Sequence, residues 1–393
     1  MHNIFLILFG FSFEYSFDFI GKLFLSQITI IILFVFFFFK KREDFLVENK
    51  SIYIFGFFWL FGQIISDIIN ESEFVDFARG NVKIIITLFA FYVFDRISNY
   101  KNNFLINVIF WVYIVSAFMD ISKFENSSIE SIWKFGLGLS ATFTVLFFDY
   151  IKNNGETSKL TGIIIFFIGI FSLLIGTRYL FLFNSITCYF IFLKPNPKES
   201  NYKKIFTSVI GFIFLFFIIN SLYNYSLKAG FFGSSLTTKT ITQMSGDYGV
   251  FLGGRNEILS STKAIIDAPI IGHGSWAKDC KYIDYLNAEL IRMNYEIVRE
   301  YKDCQIPTHS VIFESWVNSG FFGFLFWLYI LKLLIIKFKN EIIYSVSLNP
   351  IFVFILTMSV WDILFSPFGA NRIILLPLYL VFLLKHKNLK KIN

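Results

Sequence analysis

Two arginines and one histidine have the side-chain types needed for chemistry on a phosphate-containing substrate. Arg178 follows Gly-Thr between two apolar runs, Arg255 follows two glycines in a long connection, and His309 precedes another apolar run. A guanidinium group binds phosphate oxygens through paired hydrogen bonds and stays charged at any relevant pH. An imidazole is the side chain most often used as a general base. Together, these residues suit the transfer of a group from a diphosphate to a hydroxyl.

Each of the three residues also has a purely structural explanation. Arg178 at a helix end can reach lipid headgroups, Arg255 can close a glycine turn, and His309 can lie in the first turn of a helix with its imidazole satisfied. Ionisable residues at membrane depth are costly and tend to be functional. The informative observation is that hydropathy places all three on the same face of one membrane topology.

The composition is that of a chain embedded in a membrane. Hydrophobic residues make up 55% of the 393 positions and charged residues only 16%, against about 25% charged in soluble domains. Many apolar runs approach the roughly 20 residues that cross a bilayer as a helix. This pattern excludes a soluble globular protein, a disordered chain, a disulfide scaffold and an outer-membrane barrel. We predict an all-α fold, a polytopic transmembrane helical bundle of 11–12 spans.

The predicted spans divide the chain into three parts. Residues 1–222 hold transmembrane helices 1–9, residues 223–310 form one large loop with short helices, and residues 311–393 hold helices 10–12 and a tail. A weaker apolar run at 4–20 is interrupted by Glu14 and Asp18, and whether it spans is left open. The other runs lie at 23–39, 51–69, 81–95, 104–119, 135–150, 160–176, 178–193, 203–222, 311–336, 343–362 and 372–384.

Basic residues set the expected orientation. One set of alternate loops, with the C-terminal tail, holds 18 lysines and arginines, and the short opposite loops hold 7. Basic residues accumulate on the cytoplasmic side, so we expect a bacterial inner-membrane protein with a cytoplasmic tail and a periplasmic large loop. No basic patch indicates nucleic acid. The seven residues on the opposite side are Lys22, Arg79, Lys83, Lys123, Lys134, Arg178 and Arg372.

The large loop contains a predicted amphipathic helix from Tyr282 to Tyr301. Apolar residues recur there at spacings of three and four, which is typical of a helix with one apolar face. The helix either packs on the outer ends of the spans or lies as a lid in the headgroup region. Cys280 and Cys304 flank it, and a disulfide between them would require this helix to fold back. The sequence leaves that pairing open.

Four motifs in order resemble the bacterial O-antigen polymerase and O-antigen ligase family. They are a small residue followed by Arg178 between tight spans, Gly-Arg at 254–255, PIIGHG at 269–274, and HSVIFESWVNSGFFGFLFW at 309–327. The resemblance covers roughly residues 160–340. The family usually has asparagine after the histidine and an acidic residue before the following glycine.

The resemblance implies a membrane-embedded, metal-independent glycosyltransferase. Such enzymes transfer a glycan from an undecaprenyl diphosphate carrier to a sugar hydroxyl on the periplasmic face. Arg178 and Arg255 would bind the diphosphate and His309 would be the general base. The chain has no Asp-x-Asp or dense carboxylate cluster on the outer face, so we expect no metal and no cofactor. Expected partners are the carrier-linked oligosaccharide, an acceptor glycan or lipid A-core, membrane lipids and a chain-length regulator.

Five further residues are weaker candidates. Glu257 would orient Arg255 or contact sugar hydroxyls, and His273 is the second choice for the base. Glu314 is a substrate-binding candidate that is better explained by an ion pair within the bundle. Tyr179 can stack on a sugar ring or simply pack in the core. Asp67 is an acid within an apolar run and is therefore a functional candidate, with a structural role as the alternative.

Other functions remain open at this stage. A polymerase and a ligase share the motifs and differ only in the acceptor. A flippase for lipid-linked sugars should carry paired polar residues near the bilayer midplane and show repeat symmetry, whereas the candidates here gather at one face beside a long loop. A non-catalytic scaffold would tolerate substitution of Arg178, Arg255 and His309.

Overall fold

The fold was derived from a computed structural model. It describes residues 2–18, 21–40, 50–98, 104–122, 129–153, 158–192, 241–296, 303–344 and 348–386, and positions 210, 211, 214, 217, 221 and 225. Most of the predicted span 203–222 therefore lies outside the described residues.

Helices form nearly all of the described structure. A two-stranded antiparallel hairpin, β1 (Ser16–Asp18) and β2 (Lys22–Phe24), is a small exception to the predicted all-α fold. The bundle helices are α1 (His2–Phe11), α2 (Leu25–Phe39), α3 (Lys50–Ile69), α4 (Phe74–Ser98), α5 (Phe104–Ser122), α6 (Ile129–Lys152, including a π-helical turn), α7 (Lys159–Leu174) and α8 (Arg178–Phe192). They continue after the long loop, which holds α9 (Gly249–Gly253), α10 (Glu257–Asp267) and α11 (Lys281–Arg292), with α12 (Val311–Tyr344), α13 (Pro350–Phe365) and α14 (Arg372–Lys385).

Four of the described helices, α3, α4, α6 and α12, are long and apolar enough to cross a membrane. Five more apolar helical stretches, of 10 to 17 residues each, lie in α2, α5, α7, α8 and α13. Helix α1 contains 10 residues, which is about 15 Å and half of the thickness of a bilayer core. The chain turns after Phe11 into the hairpin that contains Asp18, so the weak apolar run at 4–20 does not form one spanning helix.

The apolar core lies between α3, α4, α12, α13 and α14. Trp59 of α3 and Trp327 of α12 are fully buried there. The Trp59 ring stacks on Phe326 with 4.8 Å between centroids and meets Trp327 edge-on at 5.5 Å. Aromatic pairs of this kind add to the free energy of burying apolar area. Helix α3 therefore packs firmly along α12.

The two ends of the bundle carry different polar contacts. At one end, Lys385 of α14 pairs with Asp95 of α4 at 2.9 Å. At the opposite end, which carries the long loop, Asn371 donates to the Phe13 carbonyl at 3.1 Å. The loops that the sequence assigns to opposite sides of the membrane therefore lie at opposite ends of these helices.

A break at Gly320 divides α12 near its first third. Gly320 has φ 61° and ψ −150°, and the loop segment 270–274 occupies the break. The Phe321 N–H donates to the Ile270 carbonyl at 3.0 Å, and the His273 N–H donates to the Val317 carbonyl at 2.7 Å. The predicted span over 311–336 is thus part of a helix long enough to cross a membrane, but the loop backbone replaces helical hydrogen bonds at Gly320, an interruption that hydropathy does not predict.

The amphipathic helix of the loop is shorter than its apolar spacing predicts. Helix α11 ends at Arg292, and Asn294 adopts a left-handed conformation with φ 59°. Asparagine enters this region more readily than most residues, so the chain turns there instead of continuing to Tyr301. The side chains on its apolar face, including Tyr282 and Leu286, are buried by protein, whereas Ile291 is exposed, which favours the packed helix over an interfacial lid.

Because the helix ends early, the chain returns and the two loop cysteines meet. Cys280 and Cys304 form a disulfide with 4.6 Å between their Cα atoms. The backbone beside them pairs as well, because the Asp279 N–H donates to the Cys304 carbonyl at 2.8 Å and the Ile306 N–H donates to the Ala277 carbonyl at 2.9 Å. The disulfide therefore ties the start of α11 to the segment that leads into α12.

Gly320→Ala is expected to lower the free energy of unfolding by at least about 3 kcal/mol. Its backbone angles belong to a region that is nearly restricted to glycine, and a Cβ atom would lie 2.0 Å from the Ile270 carbonyl oxygen. The measurement is the thermal unfolding midpoint of the purified protein in detergent. Gly369→Ala is the control, because a Cβ atom there meets open space. Equal shifts for both variants would contradict the role of the break.

Replacing both Cys280 and Cys304 by serine is expected to loosen the loop. The disulfide closes a segment with a sequence separation of 24, and a cross-link of this length stabilises by about 2–4 kcal/mol. We expect trypsin to cleave within 241–310 at least about tenfold faster. Cys188→Ser, which leaves the disulfide intact, is the control. An unchanged cleavage rate in the double variant would show that the loop holds without the cross-link.

Candidate active site at the loop end of the bundle

A cavity of about 500 Å³ opens at the loop end of the bundle, between the long loop and the ends of α5, α6, α8, α13 and α14. Aromatic rings form much of its wall, among them Tyr179 and Trp361. Three basic and two acidic side chains and one imidazole also line it. These six residues are Glu14, Lys134, Arg255, His309, Asp362 and Arg372.

Arg255 reaches this cavity from the turn between α9 and α10. Its Nη1 donates to the Gly254 carbonyl at 3.1 Å, and its guanidinium lies 5.9 Å from the centroid of the Trp361 ring. Burial lowers the pKa of Arg255 from its ordinary value; Glu257 opposes this effect and the positive charge of Arg372 adds to it. The guanidinium nevertheless stays charged at neutral pH, so a partly desolvated cation faces the cavity.

His309 is held just before the first turn of α12. The preceding Pro307 carbonyl accepts a hydrogen bond from Ser260 at 3.1 Å, and the following Ser310 hydroxyl donates to the Ile363 carbonyl at 3.2 Å. The same Ser310 oxygen accepts from the Phe313 N–H at 3.4 Å, in the manner of a helix cap. Neighbours on both sides therefore fix the backbone of His309 at the cavity wall.

Arg372 is the second arginine of the cavity. Its Nε donates to Asp362 at 3.0 Å. Within the described part of the chain, neither Nη1 nor Nη2 of Arg372 forms a hydrogen bond, and the same holds for Nε and Nη2 of Arg255. Partly buried guanidinium groups with donors that have no partner in the described residues suit a multiply charged oxyanion. Two guanidinium groups and an imidazole therefore line the same cavity.

The structure places Arg178 outside this lining. Arg178 is the first residue of α8, and the next residue, Tyr179, lines the cavity while Arg178 does not. Tyr179 donates its hydroxyl proton to the Lys134 carbonyl, and its ring lies 6.2 Å from that of Trp361. A role for Arg178 in phosphate binding stays a prediction, whereas Tyr179 forms part of the aromatic wall.

The other candidate residues have mainly structural contacts. His273 lies against the α12 break, where its Nε2 is 2.8 Å from the Ala264 carbonyl oxygen. Glu314 accepts from Lys83 Nζ at 2.7 Å and from the Phe368 N–H at 2.8 Å, which matches the ion pair within the bundle. Glu257 is buried at the start of α10, close enough to Arg255 to affect its pKa.

Asp67 of α3 joins the long loop to the bundle through hydrogen bonds. It is 1% exposed and accepts five hydrogen bonds, two of them from Ser275: the N–H at 2.5 Å and the hydroxyl at 2.9 Å. The others come from Ser72 at 2.9 Å, Asn81 at 2.9 Å and Gln63 at 3.3 Å. A buried carboxylate is tolerated when its lone pairs are filled in this way. The structural interpretation of Asp67 therefore accounts for it.

Sequence reasoning missed Arg372, which it counted only as a loop charge. A usable signal existed, because Arg372 and Lys134 belong to the seven basic residues on the side that generally lacks them. Both line the cavity. A third member of that set, Lys83, is 9% exposed and pairs with Glu314. Two of the seven basic residues that run against the overall bias thus line the candidate site.

The comparisons with known proteins add no further assignment. A search of protein-family models, of curated proteins and of solved structures finds no match to this chain. The functional interpretation accordingly relies on the residues and their geometry. In the described residues, no group of three or more His, Cys, Asp or Glu side chains is placed to hold a metal ion.

Asp67→Asn is expected to release the loop segment around Ser275. The change replaces one hydrogen-bond-accepting carboxylate oxygen by an amide NH₂ group, so the surrounding hydrogen-bond donors face another donor. The buried polar groups that lose their partners lower the stability by about 3 kcal/mol. Hydrogen exchange at the amides of Gly274 and Ser275 should lose its protection. Asp284→Asn, on the exposed face of α11, is the matched control. Retained protection in Asp67→Asn would contradict the fastening role.

Proposed function

We propose that this protein is a membrane-embedded glycosyltransferase of the O-antigen polymerase and ligase type. It transfers a glycan from an undecaprenyl diphosphate carrier to a sugar hydroxyl. The observation that carries the proposal is that Arg255, Arg372 and His309 line one aromatic-walled cavity. The two guanidinium groups suit a diphosphate, the imidazole suits a hydroxyl, and the aromatic wall suits the apolar faces of sugar rings.

The proposed reaction is a single displacement at the anomeric carbon of the donor. The acceptor oxygen forms a new bond to that carbon, and its proton passes to the imidazole of His309. The bond between the anomeric carbon and the phosphate oxygen breaks, and its electron pair leaves on the diphosphate. Arg255 and Arg372 stabilise the charge that develops there, which is the main source of rate in such sites. The products are the extended glycan and undecaprenyl diphosphate.

The site's position supports an enzyme over a flippase. The candidate residues gather at the loop end of the helices, and the buried polar residues there fasten the loop to the bundle. A transporter is expected to bind its substrate near the bilayer midplane between repeats. We therefore propose that the reaction takes place at one membrane face, and the distribution of 18 and 7 basic residues supports the periplasmic face of a bacterial inner membrane.

Polymerase and ligase differ only in the acceptor. A polymerase passes the glycan to another carrier-linked repeat and works with a chain-length regulator; a ligase passes it to lipid A-core. The polymerase is the preferred form of the proposal. The glycan profile of a deletion strain separates the two reactions: loss of long chains with a single repeat retained indicates a polymerase, and loss of every attached repeat indicates a ligase.

His309→Ala is expected to lower turnover by roughly 10²–10⁴-fold, the usual contribution of a general base. Binding of undecaprenyl diphosphate should be unchanged, because the imidazole acts on the acceptor. Arg255→Lys and Arg372→Lys keep the charge and lose the planar fork, so both should weaken that binding. The measurements are turnover of the lipid-linked donor and equilibrium binding of undecaprenyl diphosphate, both at matched protein amounts.

Arg292→Lys is the matched control for the arginine variants, because Arg292 is exposed on α11 and pairs only locally with Glu289. Arg178→Lys tests whether that residue belongs to the diphosphate site as the family resemblance implies. Normal turnover in His309→Ala would remove it as the base and leave His273 as the next candidate. Normal turnover with both Arg255 and Arg372 changed to alanine would overturn the enzyme assignment.

A further inference from the structure

A second cavity of about 340 Å³ lies beside the first at the loop end of the bundle. The two cavities share four wall residues: Pro367, Gly369 and Ala370 from the connection between α13 and α14, and Arg372, the first residue of α14. The opposite wall of the second cavity comes from the loop segments around Trp276 and Thr308 and from the first turns of α12. Of the residues that the proposed reaction assigns to the donor, Arg372 lines this space, at its shared edge, and Arg255 does not.

The second cavity offers neutral hydrogen-bonding groups without partners. Gln305, Thr308 and Asn318 line it. As far as the structure describes the chain, the side chains of these three residues form no hydrogen bonds. An amide and a hydroxyl each act as both donor and acceptor. Such groups complement the hydroxyls of a sugar, which also donate and accept.

Aromatic rings complete the wall of the second cavity. Trp276 and Phe368 both line it, and Trp276 has a left-handed backbone with φ 51°, a strained conformation of the kind that persists at binding sites. Lys83 holds both rings, since its ammonium lies 4.9 Å from the Trp276 centroid and 5.2 Å from the Phe368 centroid. The rings are therefore fixed before any ligand arrives.

The charge of the second cavity is internally balanced, unlike that of the first. The Lys83 ammonium is 2.7 Å from Glu314 and 3.2 Å from the Phe368 carbonyl oxygen. Both oxygens of Glu314 are engaged, one by Lys83 and one by the Phe368 N–H. Apart from Arg372 at the shared edge, the lining residues of the second cavity include no basic side chain that could bind a diphosphate. A neutral, hydroxyl-rich ligand fits this wall.

We propose that the second cavity binds the acceptor sugar, and that its nucleophilic hydroxyl reaches the first cavity past Gly369 and Ala370. This inference rests on the proposed function, because it adds the acceptor site to the donor site. The polar side chains Gln305, Thr308 and Asn318 select the acceptor, and the two rings support the apolar face of its sugar.

The test uses the full-length protein in nanodiscs with two probes that report on the two cavities separately. One probe is undecaprenyl diphosphate without a sugar, and the other is the lipid-free repeat oligosaccharide released from the surface polysaccharide of the source strain. Asn318→Leu should weaken binding of the oligosaccharide about tenfold, which corresponds to the loss of one or two hydrogen bonds. It should leave binding of undecaprenyl diphosphate unchanged, whereas Arg255→Ala should have the reverse effect.

Asn153→Leu is the matched control, since it makes the same change at the C-terminal end of α6, away from both cavities. Gly369→Leu tests the junction: a Cβ atom at Gly369 meets open space, so the substitution causes no clash at that atom, and the longer side chain would separate the hydroxyl from the donor. We expect Gly369→Leu to retain binding of each probe and to lower transfer at least about a hundredfold, because small displacements of reacting groups have effects of this size.

The outcomes separate a failure of the acceptor site from a failure of the proposed function. A wild-type protein that binds undecaprenyl diphosphate but not the oligosaccharide, or an Asn318→Leu variant with oligosaccharide binding within twofold of wild type, would overturn the acceptor site alone. Normal transfer by Gly369→Leu would overturn the path of the hydroxyl. A wild-type protein that does not bind undecaprenyl diphosphate would overturn the proposed function and this inference together.

Discussion

The backbone contact between the loop and the broken helix α12 determines the geometry of the candidate site. At Gly320 the helix gives up hydrogen bonds that the segment 270–274 replaces, and Asp67 secures the next residue, Ser275. From this anchor the chain runs through Trp276 into the disulfide-closed part of the loop and back toward α12. The position of the loop side chains around both cavities depends on this one docking contact.

Hydropathy was sufficient for the helices and insufficient for the interruptions within them. Long apolar runs predict helices because a backbone in lipid must satisfy its own hydrogen bonds, and α3, α4 and α12 each contain one of the predicted runs. A single glycine such as Gly320 is compatible with both a continuous and a broken helix, and only the approach of a distant segment decides between them. In the same way, apolar spacing continues past Arg292, but the left-handed turn at Asn294 ends α11.

The candidate site was also predictable only in part, because sequence shows local motifs and does not show which distant residues come together. Arg255 and His309 stand out because their local sequence marks them, and both line the cavity. Arg372 has no such mark, since its partner Asp362 lies on a different helix and its importance comes from three-dimensional proximity. Asp67 is a different case, because an acid within an apolar run leaves a functional and a structural role equally open in sequence, and its five hydrogen-bond donors favour the structural role.

The docking contact also determines how freely this part of the chain can change during evolution. Between 270–274 and α12 the hydrogen bonds join main-chain atoms, so they place little demand on side-chain identity. A Cβ atom at Gly272 would lie 2.5 Å from the Gly320 nitrogen, and one at Gly320 would lie 2.0 Å from the Ile270 oxygen. Neither neighbour can move aside as a flexible side chain would. The architecture can therefore persist while most surrounding residues are substituted, and the two glycines are the positions at which the sequence must stay unchanged.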